Sequence, residues 1–87
     1  MKELIHFSMT GSTVCEDMRE ELNKFIKSNP DVVYSKVLVD KSPEMYHYYL
    51  KKYPIDVIPS FLGFVDEVFQ DGHSGEATEL ILSSLVN

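Results

Sequence analysis

Residues 10–15 read TGSTVC, and this hexapeptide decides how the rest of the chain is interpreted. It follows a short apolar run, ELIHFSM (3–9), whose Leu4, Ile5 and Phe7 form a β-type core around His6. Gly11 and the flanking hydroxyls break that run. From Val14 onward the apolar residues fall at 14, 15, 18, 22, 25 and 26, which is helical spacing. Glu16 and Asp17 occupy the first turn, Lys24 and Lys27 the last, and Asn29-Pro30 stops the helix. The hexapeptide is therefore a strand-to-helix loop, and it carries the only cysteine of the chain, Cys15.

Outward from that unit, DVVYSKVLVD (31–40) is dense in β-branched residues and predicts a second strand. Ser42 as N-cap and Pro43 at the first helical position open a second helix, which ends at about Tyr53, before Pro54. Tyr46, Tyr49 and Tyr53 share one face of it and predict an aromatic stripe on the sheet, with Tyr48 left exposed. Two strands, about 60–65 and 67–70, are joined tightly at Asp66-Glu67, and DGHSG (71–75) reads as a loop. A last helix over 76–86 places Ala77, Leu80, Ile81 and Leu85 together. The order is β-α-β-α-β-β-α, an α/β chain. Its first half forms a right-handed parallel crossover and its helices cover both faces of a mixed four-stranded sheet.

The 87 residues are expected to form a single domain, 1–87, with one core. No apolar run approaches the ~20 residues of a membrane span, and MKELIHFSM is no secretory leader, so a cytoplasmic, non-membrane protein is expected. A formal charge of −6, from 8 basic and 14 acidic residues, argues against nucleic acid as a partner. One cysteine allows no disulfide within the chain. His47 and His73 have no metal-ligand spacing with Cys15, so neither a metal nor another cofactor is expected. The sequence leaves the oligomeric state open.

This order of elements, with TGSTVC leading into the first helix and VIPS (57–60) entering the third strand, resembles the thioredoxin-like family, thioredoxins and glutaredoxins, over nearly the whole chain. The resemblance places Ser12-Thr13-Val14-Cys15 on the family's C-x-x-C positions. It places Ile58-Pro59-Ser60 on the segment whose proline is cis, and Gly75 on a glycine common before the last helix. It implies Cys15 and Ser12 as catalytic positions, with Thr13, Val14, Ile58, Pro59 and Ser60 as binding positions. His6 stands where the family keeps a proton-shuttling acid and is the candidate relay, a group that ordinarily titrates near neutral pH. Three departures accompany the match. Gly11 replaces an aromatic residue, His6 replaces the acid, and Ser12 replaces the nucleophilic cysteine.

The third departure sets the chemistry. Disulfide exchange needs a thiolate to attack and a second thiol to resolve the mixed disulfide, and serine does neither. A conventional dithiol reductase is excluded for a monomer, and a single-thiol oxidoreductase is the enzymatic reading. Alone at a helix N-terminus, Cys15 gains about 0.3–1 kcal/mol of thiolate stabilisation, against about 2 kcal/mol needed to bring its pKa to 7. Glu16 and Asp17 oppose it. Thr13-Val14-Cys15-Glu16 also fits a capping box, in which Cys15 is only a small apolar residue.

Three functions follow from the resemblance. The first is a thioredoxin-like protein with a degenerate site and a single-thiol role in thiol–disulfide homeostasis. The second is a non-catalytic module holding a peptide or protein, glutathione included, in the groove beside Pro59. The third is a serine-type glutathione binder using Ser12.

Overall fold

The computed structural model describes residues 1–11, 13, 18–53, 55 and 57–87. Its elements are β1 (Lys2–Ser8), α1 (Arg19–Ser28), β2 (Val32–Leu38), α2 (Pro43–Lys52), β3 (Ser60–Val65), β4 (Val68–Ser74) and α3 (Glu79–Leu85). The sheet order is β2-β1-β3-β4. β1 and β2 are parallel, with His6 opposite Lys36, and the β1–β3 and β3–β4 pairs are antiparallel.

β1 is central and buried from Leu4 to Ser8, as expected of a strand covered on both faces. Its alternation sorts the core. Leu4 packs with Met18, Leu22 and Phe25 of the α1 side and with Leu82, Leu85 and Val86 of the α3 side. Ile5 and Phe7 face the other way, onto Val37, Ile55 and the α2 tyrosines. Phe7 meets Tyr46 and Tyr49 at ring-centroid distances of 5.8 and 5.4 Å, while Tyr48 lies off the stripe and is exposed. The tyrosine face is the one the spacing predicts.

Helix ends follow local chemistry. α1 stops where both the backbone N–H and the side-chain amide of Asn29 donate to the Phe25 carbonyl, just before Pro30. Ser42 is the N-cap residue of α2, but its hydroxyl makes no capping bond; its carbonyl accepts from the Tyr46 N–H at 3.2 Å. Val14, Cys15 and Glu16 of the Thr13–Glu16 capping box lie outside the described residues.

The structure corrects three expectations. The first helix, read from Val14, is α1 from Arg19, with Met18 in the turn before it. β4 runs through DGHS to Ser74 instead of ending at 70, because Asp71, Gly72, His73 and Ser74 pair with Gly63, Leu62, Phe61 and Ser60. An edge strand draws its order from that ladder and needs little apolar pattern of its own. The last helix is also shorter than 76–86. Thr78 caps it by accepting from the Ile81 N–H; Leu82 and Leu85 are buried, and Ile81 is half-buried against the same core. Leu80 then points to solvent, 82% exposed, and Leu82 takes the core position.

Tight spots fix the remaining geometry. Asp66 and Glu67 adopt φ of 51° and 68°, the paired left-handed conformation of a two-residue hairpin. A side chain at Gly63 would place its Cβ 2.0 Å from the Leu85 carbonyl oxygen, so β3 and α3 touch backbone to backbone there. Among the described residues, no helix is long and apolar enough to cross a membrane.

Candidate functional site

The loop after β1 is anchored to the end of β2. Thr10 donates to Asp40 Oδ1 through its backbone N–H (3.1 Å) and its hydroxyl (3.2 Å). Those bonds hold the Asp40 carboxyl below the usual carboxylate range. The Val39 N–H donates to the Ser8 carbonyl at 2.9 Å and continues the ladder up to that loop. Thr13 is exposed at the loop's exit. Ser12, Val14 and Cys15, the other residues expected there, lie outside the described residues.

The Ile58–Pro59 peptide bond is cis. Pro59 is buried and its carbonyl accepts the Gly75 N–H at 2.7 Å, tying the entry of β3 to the exit of β4. Gly75 has φ of 98°, a conformation strained for any side chain, although a Cβ there would meet nothing within 4 Å. Ile58 is half-buried and leans on the Phe7 side of the core. Among the described residues, its backbone N–H and C=O have no hydrogen-bond partner. Ser60 is fully buried and donates its hydroxyl to the Val57 carbonyl, so that side chain is committed within its own turn.

His6 is 1% exposed, on the α1 face of the sheet. Its ring stacks on Phe61 at 4.5 Å, and its Nδ1 shares a 2.8 Å hydrogen bond with the Tyr34 hydroxyl. Nε2 has no partner among the described residues. Burial, helped by the Lys36 charge, pushes its pKa down to about 4, so the ring is neutral at pH 7. This differs from the near-neutral titration expected of a relay, and the cause is desolvation on a face that the sequence alone does not show to be closed.

Sequence reasoning thus named the cis Ile58–Pro59 bond. It missed the Thr10–Asp40 anchor and the Tyr34 partner of His6. The second was within reach, because a parallel crossover sets β2 beside β1 and leaves Tyr34 two positions from the residue opposite His6. Among the described residues, no three His, Cys, Asp or Glu side chains converge as a metal site requires.

No protein-family model matches the sequence, and no curated protein is similar to it. Solved structures are. The oxidised form of mitochondrial thioredoxin 3 from Saccharomyces cerevisiae superposes with a TM-score of 0.82 at 25% identity, over 97% of this chain and 76% of that one. The thioredoxin Deadhead from Drosophila melanogaster gives 0.78 at 20% identity, over 94% and 74%. Oxidised thioredoxin from Plasmodium falciparum gives 0.77 at 19% identity, over 97% and 76%. The fold is thioredoxin-like.

Proposed function

We propose that this thioredoxin-fold protein holds an extended polypeptide in the groove beside Pro59 and exchanges a disulfide with it through Cys15 alone. The observation that carries the binding half is that the backbone N–H and C=O of Ile58 have no hydrogen-bond partner among the described residues. Such an N–H and C=O on a segment fixed by the Pro59–Gly75 bond offer an extended chain the hydrogen bonds of a short added strand. Thr13 and Val14 are the further binding positions of this reading, and glutathione is the smallest peptide that suits it.

Single-thiol exchange balances without a second cysteine. The Cys15 thiolate attacks one sulfur of the partner's disulfide, a Cys15–partner S–S bond forms, and the partner's other sulfur leaves as thiolate. A glutathione thiolate then attacks the partner's sulfur in the mixed disulfide, forming a partner–glutathione disulfide and releasing Cys15 as thiolate. Ser12 contributes no redox chemistry. His6, neutral at pH 7, contributes no charge.

Incubation of the folded protein with oxidised glutathione across pH 5–10, read by intact mass, tests the exchange. One glutathione per chain, absent in Cys15→Ala, supports it, while insulin reduction stays near zero. A thiol that reacts only after unfolding contradicts the exchange. The groove then serves as a binding module with an inert cysteine.

A further inference from the structure

A cleft of about 420 Å³ opens between α1 and the sheet, on the side where β2 is the edge strand. Loop residues Thr10 and Gly11 line it, and none of Ile58, Pro59 or Ser60 does. Alternate β2 residues Tyr34, Lys36 and Leu38 form one wall, and Arg19, Asn23 and Ile26 of α1 the other. The chain has 14 acidic residues to 8 basic ones, yet among the described residues no carboxylate lines this cleft and two cations do. Neither Arg19 nor Lys36 has an ion-pair partner among the described residues. On its floor lies His6, nine-tenths buried or more, with Nε2 unpartnered among those residues.

We infer that this cleft is a binding site for a small organic anion, a carboxylate or phosphate head on an apolar body. The head is held between the Arg19 guanidinium and the Lys36 ammonium, with the Asn23 amide beside them as a neutral donor. The body lies on Leu22, Ile26 and Leu38. The volume is that of a small-ligand pocket with mostly apolar walls and a few convergent polar groups. Two cations without an ion-pair partner among the described residues, on a strongly acidic protein, raise the local anion concentration at the mouth.

The test is a fluorescence titration with 8-anilinonaphthalene-1-sulfonate, an anion on an apolar body, beside the neutral N-phenyl-1-naphthylamine. The expected result is saturable one-to-one binding of the anion, weakened about tenfold by Lys36→Gln and by Arg19→Gln, with little binding of the neutral dye. Both side chains are exposed, so the variants keep the fold. Displacement by octanoate or by octyl phosphate then identifies the head group. Equal binding of the neutral dye, indifference to both substitutions, or displacement by neither competitor would overturn the inference.

Discussion

The Gly75 N–H donates to the Pro59 carbonyl at 2.7 Å, and this bond joins the entry of β3 to the exit of β4. Gly75 makes it from φ of 98°, where an L side chain is strained. Gly75→Ala is expected to cost about 1–2 kcal/mol in urea unfolding. It should weaken peptide binding at Ile58 as well. An unchanged unfolding midpoint would mean that the turn relaxes at no cost.

His6 makes stability depend on pH in a definite direction. Its folded pKa, about 4, lies below the unfolded value near 6.5, so between those values the unfolded chain binds the extra proton. Stability falls as pH drops from about 6.5 towards 4, by roughly 3 kcal/mol from this residue. The depressed carboxyls of Glu21, Asp40 and Asp66 act in the same direction, below the ordinary carboxylate range. His6→Phe keeps an aromatic ring on Phe61 and should flatten the upper part of the profile. An equally steep profile in that variant would remove His6 from the account.

Gly63 and the C-terminal end of α3 share one space. A methyl group there meets the Leu85 carbonyl at 2.0 Å, with backbone on both sides and no side chain to yield. Gly63→Ala is expected to cost about 3 kcal/mol or more, read as a drop in melting temperature. A stable Gly63→Ala protein would mean that α3 shifts freely on the sheet.

The last helix separates two leucines. Leu82 is fully buried and Leu80 is 82% exposed. Leu82→Ala should cost about 2–5 kcal/mol, and Leu80→Ser less than about 0.5 kcal/mol. The reverse ranking would restore the helical face read from the sequence.

That pair also marks how far sequence reading reached. The helix was legible, and so were Ala77, Ile81 and Leu85 on its inward side, but Leu80 was read in the core place that Leu82 takes, which only the packing shows. β4 was half legible. Its polar second half, DGHS, is a strand only because β3 lies beside it, a non-local pairing that leaves no local pattern. The tyrosine stripe of α2 and the tight Asp66-Glu67 turn were fully legible, since spacing and length alone set them. At the candidate site, VIPS and Gly75 could be placed by resemblance. The depressed His6 pKa needed the third dimension, as did the convergence of Arg19 and Lys36, which lie on different elements.

The central claim is that the backbone of Ile58 receives an extended peptide. Its most direct measurement is a ¹H–¹⁵N correlation titration of the folded protein with S-methylglutathione, which can bind but cannot exchange a disulfide. The account predicts saturable shifts concentrated at the Ile58, Ser60 and Gly75 amides, retained in Cys15→Ala. Absence of shifts at those amides, or shifts confined to other surfaces, would contradict it.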